Sequence, residues 1–234
     1  MNKIFMREVE AIKRSLLALA AEIEKRMGAV FAAIAQNDIP TLARIIETDR
    51  EIDLREIEIE EECLKVLALH QPVARDLRFV VVVMKINNDL ERIADILANI
   101  ADRGCRLAKY PETDLMDLIR QMGALATEML RESLECMLSL DVLKAVEIIK
   151  RDDELDALNL QVVDAVIPRA EQTTENAGAL FLVHGMARDI ERIGDHATNI
   201  AEDVAYLVDG LIIRHGNNNY VTGGAHAKAA NPGR

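Results

Sequence analysis

A repeated block of residues constrains the fold of this chain more than any other feature. The segment Asp89-Leu-Glu-Arg-Ile-Ala-Asp95 returns 100 positions later as Asp189-Ile-Glu-Arg-Ile-Gly-Asp195. A second pair of segments, Asp49-Arg-Glu-Ile-Asp53 and Asp152-Asp-Glu-Leu-Asp156, is separated by 103 positions. Two blocks that recur in the same order with nearly equal offsets indicate that one structural unit was duplicated. The sequence therefore predicts two halves of similar structure.

The composition favours long helices. The 234 residues include only 11 Gly and 5 Pro, too few for the turns of a β-sandwich or barrel, and half of them are hydrophobic, too many for a disordered chain. Within the repeated block, Leu90, Ile93, Leu97 and Ile100 recur at intervals of three and four, which is the period of an amphipathic helix. Prolines and small polar clusters separate the helical stretches. The predicted helices span about 3–36, 40–70, 72–108, 112–139, 141–168 and 175–214.

Duplication and helix count together predict an all-α protein made of two tandem antiparallel three-helix bundles. The boundary falls near Pro111, so residues 1–110 form the first repeat and residues 111–214 the second. Residues 215–234 contain Gly, Asn, Ala and Pro without periodicity, which predicts a flexible tail.

The charge balance excludes some function classes. The formal net charge is −12 and aromatic residues make up 3% of the chain, so it has neither the positive surface nor the stacking platforms of a nucleic-acid-binding protein. A negative surface attracts cations or basic partners. The N-terminal segment lacks the uncharged core of a signal peptide, no apolar run reaches the ~20 residues of a membrane span, and the three dispersed cysteines suit a reducing compartment. We therefore expect a cytoplasmic protein.

Carboxylates form a stripe on each repeated helix. At about 100° per residue, Glu91 and Asp95 share one side of the helix with Asn99 and Asp102, opposite the apolar side chains. The second copy repeats this arrangement with Glu191, Asp195, Asn199 and Glu202. The acidic stripes are therefore predicted to face away from the core of each bundle.

Acidic pairs spaced by four residues indicate cation binding. Like charges at this spacing destabilise a helix by about 0.2–0.5 kcal/mol per pair unless something neutralises them. If neighbouring helices are antiparallel, the pairs in the preceding helices lie beside those of the repeated block. Such oxygen ligands suit Mg²⁺, Mn²⁺ or iron better than a structural zinc. A solvated acidic face is the open alternative. The four pairs are Asp49 with Asp53, Glu91 with Asp95, Asp152 with Asp156, and Glu191 with Asp195.

Catalytic motifs are scarce. A di-metal carboxylate oxidase in a helical bundle uses Glu-x-x-His motifs, and none of the five histidines follows a glutamate at that spacing. The chain has no P-loop, Rossmann fingerprint or nucleophile elbow. We therefore expect no enzymatic activity, and a carboxylate-bridged metalloenzyme stays as the alternative. Arg75 and Arg78, near the start of the third predicted helix, suit partner docking, inter-helix contact or surface salt bridges.

With these residues laid out, the sequence resembles the PhoU family of bacterial phosphate-transport regulators. The resemblance spans residues 1–213 and depends on the Asp49–Asp53 segment, on Leu69-His-Gln-Pro-Val-Ala-Arg-Asp-Leu-Arg78, and on the two Glu-Arg-Ile blocks. It implies two tandem three-helix bundles with metal clusters on their surfaces. The implied metal residues are the four acidic pairs together with Asn99 and Asn199, and the implied ion is Fe, Mn, Mg or Zn.

The resemblance also implies a function. Members of this family restrain phosphate uptake and keep the phosphate-starvation response off when phosphate is plentiful. The implied partners are the ATPase subunit of the phosphate ABC transporter and a phosphate sensor histidine kinase, which would bring the protein to the membrane periphery. A homodimer is the implied assembly.

Overall fold

The computed structural model describes residues 3–111, 113–172 and 176–210, which form seven α-helices and no strand. Within these ranges, no helix is both long and apolar enough to cross a membrane. The helices are α1 (Lys3–Gln36), α2 (Ile39–Glu47), α3 (Arg50–His70), α4 (Ala74–Leu107), α5 (Met116–Ser139), α6 (Val142–Gln172) and α7 (Ala177–Asp209).

These helices form two repeats, which confirms the predicted all-α fold class. Helices α1 to α4 make up the first repeat, in which α2 and α3 together take the place of one helix, and α5 to α7 make up the second. The core of buried side chains is continuous from Phe5 in α1 to Leu207 in α7. The two repeats therefore stabilise each other through shared apolar contacts.

The predicted helix 40–70 is wrong in one respect, because the chain breaks it between α2 and α3. The Thr48 hydroxyl donates to the carbonyl of Arg44 at 2.9 Å, and the amide of Asp49 reaches back only to Ile46. A side chain that bonds to its own helix backbone competes with the helical ladder. Arg26 of α1 donates to the Thr48 carbonyl at 3.0 Å and so binds an acceptor exposed by the break.

Two predicted helix ends also differ from the structure. The last helix ends at Asp209 rather than 214, because Gly210 adopts a left-handed conformation with φ of 70° and terminates it. Helix α6 continues beyond Pro168 to Gln172, since only one backbone hydrogen bond is lost to the proline near a helix end. The predicted tail at 215–234 lies outside the described residues.

Helices α4 and α7 run antiparallel and form the main contact between the repeats. Their apolar faces are fully buried, including Leu90 and Ile190. Polar contacts flank this apolar seam: Lys85 pairs with Asp203 at 2.5 Å, Arg103 pairs with Asp189 at 2.9 Å, and His196 contacts Asp89 at 2.8 Å. The seam sets the register in which the two repeated blocks lie side by side.

A glycine allows α1 of the first repeat to approach α5 of the second. The Phe31 ring lies so close to Gly123 that a Cβ atom there would stand 2.7 Å from two ring carbons. Gly28 lies in the same helix as Phe31 but faces open space, with nothing within 4 Å of the corresponding position. Gly123 is therefore required for packing, whereas Gly28 only carries the general cost of a glycine inside a helix.

We expect Gly123→Ala to lower the free energy of unfolding by about 1–3 kcal/mol, because the overpacked ring outweighs the gain in helix propensity. Gly28→Ala is the control and should raise it by about 0.5–1 kcal/mol. Urea titrations of both variants measure these changes. Equal stabilisation by the two substitutions would show that Phe31 does not pack tightly on Gly123.

Candidate metal centre

The first acidic cluster combines residues from two neighbouring helices. Asp49 lies at the break before α3, Asp53 one turn further along α3, and Asp95 on α4. One carboxylate oxygen from each of the three comes within 4.8 Å of the others. All three side chains are partly exposed, so a solvent ion can reach them. The expectation that antiparallel neighbours bring these two acidic pairs together is confirmed for these three residues.

Two further carboxylates flank the first cluster. Glu91 lies one turn before Asp95, and its Oε2 atom is buried without a hydrogen-bond partner. The Arg92 Nε lies 3.4 Å from that oxygen, outside hydrogen-bond geometry. Glu56 of α3 accepts hydrogen bonds from the buried Asn87 side chain through its carbonyl and its Oε1, at 2.9 and 3.1 Å. Asn87 therefore attaches α3 to α4 beside the cluster.

A buried arginine of α1 lies next to the first cluster. Arg26 is only 7% exposed, and its Nη1 lies 3.9 Å from the Asp49 Oδ1 without forming a hydrogen bond. The same guanidinium binds the Thr48 carbonyl through Nη2 and approaches Glu22 at 3.3 Å through Nε. Arg26 thus holds the backbone at the helix break and places a positive charge beside one candidate ligand.

The second cluster is built from α6 and α7. Asp152 and Asp156 lie on α6, and Glu191 and Asp195 lie on α7. The Asp152 Oδ1 is buried without a hydrogen-bond partner. It lies 3.3 Å from the point where Gly194 would carry a Cβ atom, so the glycine permits close packing of the two helices. Among the described residues of this repeat, no three candidate ligands come as close together as the trio in the first repeat.

Burial and mutual repulsion disfavour ionisation in the first cluster. The pKa of Asp49 is raised mainly by burial and then by the charges of Asp95 and Asp53, while Arg26 lowers it. Burial also raises the pKa of Glu91, and Asp95 adds to this effect. Both carboxyls therefore lie where burial and like charges outweigh the nearby positive charges of Arg26 and Arg92.

Burial and mutual repulsion also disfavour ionisation in the second cluster. Burial raises the pKa of Asp152 to about 6, with further contributions from Asp195, Asp156 and Glu191. Burial likewise raises the pKa of Glu191 and of Asp195. A divalent cation would relieve this repulsion and favour the ionised carboxylates.

The residues present fit a hard metal ion. Glu91 and Asp152 each have a buried oxygen without a hydrogen-bond partner, and such atoms are costly unless a ligand satisfies them. The surrounding donors are carboxylate oxygens, which suit Mg²⁺, Mn²⁺ or iron. The identity of the ion, among Fe, Mn, Mg and Zn, stays a prediction.

The two predicted asparagine ligands lie in different surroundings. Asn99 is exposed, one turn beyond Asp95 on α4. Asn199 points toward the other repeat, where its Nδ2 lies 3.5 Å from the Asp89 Oδ1. That side of α7 borders a groove of about 1060 Å³ between the repeats, whose lining includes Asp152 and Asp195. Asn199 therefore lines the acidic groove and also contacts Asp89 of the other repeat.

Arg75 and Arg78 lie near the N-terminal end of α4. Arg75 is exposed at the edge of an apolar cavity of about 310 Å³ that also includes Phe79 and Leu207. Arg78 is partly buried, and its guanidinium packs against Gly210 at the end of α7. A cation there complements the negative end of the α7 dipole. Arg78 thus makes an inter-helix contact, whereas the Arg75 side chain is exposed to solvent.

Sequence reasoning missed three residues around the first cluster: Arg26, Glu56 and Asn87. Arg26 lies three residues after the buried Ile23, and Asn87 three residues before the buried Leu90. A polar residue at helical spacing from apolar core positions was a signal that the sequence offered. Glu56 carried no such signal, because α3 contains many glutamates.

Comparisons with known proteins agree on one family. A sequence profile described as "PhoU domain" matches residues 16–104 and 119–204. The accessory protein PhoU homolog of the phosphate-specific transport system in Deinococcus radiodurans is 30% identical over 210 residues, 90% of this chain and 99% of the relative. The corresponding Escherichia coli protein is 30% identical, over 90% of this chain and 88% of its own length.

Solved structures show the same similarity. The crystal structure of PhoU from Pseudomonas aeruginosa has a TM-score of 0.85 and 30% identity, covering 88% of this chain and all of that one. That of the phosphate transport system regulatory protein PhoU from Streptococcus pneumoniae has a TM-score of 0.84 and 27% identity, covering 90% and 100%. These names describe accessory and regulatory proteins, in agreement with the expectation of a non-enzymatic role.

We expect Asp152→Asn to stabilise the chelator-treated protein at pH 7 by about 1–2 kcal/mol, a value reduced for partial solvent screening. The native carboxyl holds its proton up to about pH 6 whereas the unfolded one loses it near 3.8. Wild-type stability therefore falls as pH rises through this interval, and the gain from the substitution vanishes at and below about pH 4.

Urea titrations of both proteins between pH 4 and 8 measure this difference. Glu154→Gln is the matched control, because Glu154 is an exposed residue of α6 and its removal takes away the same formal charge. A stability gain for Asp152→Asn that does not depend on pH would refute the electrostatic explanation.

Proposed function

The chain belongs to the PhoU family, and from this premise we propose that it is a negative regulator of phosphate uptake and of the phosphate-starvation response. It acts as a metal-binding adaptor between the ATPase of the phosphate ABC transporter and a phosphate sensor histidine kinase. The names of its relatives, which place them in the phosphate-specific transport system, support this assignment.

One observation carries the metal-binding part of the proposal. Carboxylate pairs from adjacent helices converge in the first repeat, and both repeats leave a buried carboxylate oxygen without a hydrogen-bond partner. In a purely solvated acidic face, water would satisfy the carboxylate oxygens. Burying an oxygen without a hydrogen-bond partner costs about 1–3 kcal/mol, so these buried oxygens favour a bound cation. Cation binding accounts for both features.

In the first repeat, Asp49, Asp53, Glu91 and Asp95 would hold the metal, with Asn99 at the edge. In the second repeat, the metal would be held by Asp152, Asp156, Glu191, Asp195 and Asn199. A bound ion would supply positive charge that cross-links α3 to α4 and α6 to α7. By holding such an ion, these carboxylates would keep the paired helices in one relative position and so define the surface that partners contact.

The surface charge supports an adaptor role toward basic partners. The groove between the repeats is lined by Asp152, Asp195 and Glu202, and also by Asp89 and Asp203, which pair with His196 and Lys85. Charge complementarity of this kind raises association rates and fixes register more than it raises affinity. Because the two repeats share one apolar core, they present their acidic surfaces in a constant relative orientation. The adaptor thus offers a preformed face to its partners.

The remaining parts of the proposal follow from the same family membership. The protein acts in the cytoplasm as a homodimer and reaches the membrane periphery only through its partners. The alternative of a carboxylate-bridged metalloenzyme gains no support from the described residues, because the closest trio of candidate ligands contains no histidine. Turnover assays with Mn²⁺ or Fe²⁺ distinguish that alternative from the adaptor.

We expect the double variant Asp95→Asn, Asp195→Asn to lose most of its bound metal and its repression of a phosphate-starvation reporter, because each repeat then lacks one ligand charge. Elemental analysis of the purified protein and reporter activity in phosphate-rich medium are the two measurements. Asp102→Asn is the matched control, since Asp102 lies on α4 but is exposed and pairs with Arg106 at 3.6 Å. The control should keep both properties.

Unchanged metal content together with full repression in the double variant would refute the proposal. Loss of metal with full repression would refute only the link between the metal and regulation.

A further inference from the structure

The two repeats differ at one position that faces the candidate ligands. The offset of 103 that relates Asp49 to Asp152 also relates Arg26 to Met129. Arg26 is buried in α1 with its Nη1 3.9 Å from the Asp49 carboxylate. Met129 is fully buried in α5, and its methyl group approaches Gly194 beside the Asp152 carboxylate. A buried cation therefore stands in the first repeat where the second has an uncharged side chain.

The Arg26 guanidinium leaves Asp49 available to another cation. Its Nη1 makes no hydrogen bond, whereas Nη2 donates to the Thr48 carbonyl at 3.0 Å and Nε donates to the Glu22 carboxylate at 3.3 Å. At 3.9 Å the attraction between Arg26 and Asp49 is electrostatic, without the directional bond that would close the carboxylate to a metal. Both oxygens of Asp49 thus lie in the field of a fixed positive charge, which repels an incoming ion.

We propose that Arg26 competes with the metal for Asp49 and so makes the two metal sites non-equivalent. Arg26 acts through Asp49, as a positioning residue that lowers the metal affinity of the first repeat relative to what its carboxylates alone would provide. The second repeat has no such competitor at Met129. This inference rests on the proposed metal binding and adds to it a difference between the two repeats.

Affinities must be compared within one repeat, because the sites also differ in another residue. Glu56 of the first repeat corresponds to Asn159 of the second, so the first site has one more carboxylate nearby. Each metal site can be measured alone if the other site is removed by substitution. Asp156→Asn with Asp195→Asn leaves the first site intact, and Asp53→Asn with Asp95→Asn leaves the second intact.

The test is calorimetric titration of the chelator-treated, full-length protein with Mn²⁺. In the background that retains the first site, Arg26→Gln should raise the affinity roughly tenfold. The substitution removes a positive charge 3.9 Å from one ligand oxygen, and its repulsion of a divalent ion across a partly buried site is worth about that factor. Glutamine keeps a donor for the Thr48 carbonyl. Arg26→Lys retains the charge and should stay within roughly threefold of the parent.

The reciprocal substitution tests the second site. In the background that retains it, Met129→Arg should lower the Mn²⁺ affinity roughly tenfold by the same electrostatic argument. Circular dichroism establishes that each variant is folded. If Met129→Arg does not fold, the Arg26→Gln measurement decides alone.

The sign of the change separates competition from a structural role. If Arg26 only supports the helix break, Arg26→Gln leaves the affinity unchanged or lowers it, and either result overturns the inference. If the wild-type protein binds no Mn²⁺ at all, the proposed metal binding fails and the inference fails with it. If the wild type binds Mn²⁺ and Arg26→Gln does not raise the affinity, only the inference fails.

Discussion

The antiparallel packing of α4 against α7 is the constraint on which the rest of the structure depends. Each helix buries one apolar face along this seam and against its own bundle, and burial of a large aliphatic side chain contributes about 1.5–3 kcal/mol. Leu90 and Ile190 are fully buried in this way. Because the apolar face is committed to the core, the carboxylates on the remaining face are held at the surface, beside α3 in one repeat and α6 in the other.

Surface position alone would leave these carboxylates solvated, and the neighbouring helices change that. The break between α2 and α3 brings Asp49 and Asp53 toward Asp95, although all three carry the same charge. Burial first, and then the charges of Asp95 and Asp53, raise the pKa of Asp49 and so disfavour its ionised form in the free protein. Sites that store unfavourable charge and leave buried oxygens unsatisfied are typical of ion binding, since the ion supplies the missing partner.

The repeats have diverged where they meet. Arg103 of the first repeat corresponds to an aspartate, Asp203, in the second, and each forms an ion pair across the seam, with Asp189 and Lys85 respectively. Duplication thus preserved the fold and the carboxylates while the flanking residues changed sign or polarity. The proposed adaptor role would benefit from two related but unequal surfaces, because specificity for two different partners is a difference between affinities.

The sequence by itself determined the duplication, nearly every helix, the buried face of α4 and α7, and the residues of the acidic pairs. Periodicity and a repeated motif are properties of the residue order itself, so these features can be read directly from the sequence. Only the tertiary structure decided that the chain breaks at Thr48, that Arg26 lies beside Asp49, and that Asn199 turns toward Asp89. The last two are contacts between residues distant in the chain, and the break is bound by Arg26 from another helix. Helical periodicity specifies which face of a helix is buried but not which neighbouring side chain that face meets.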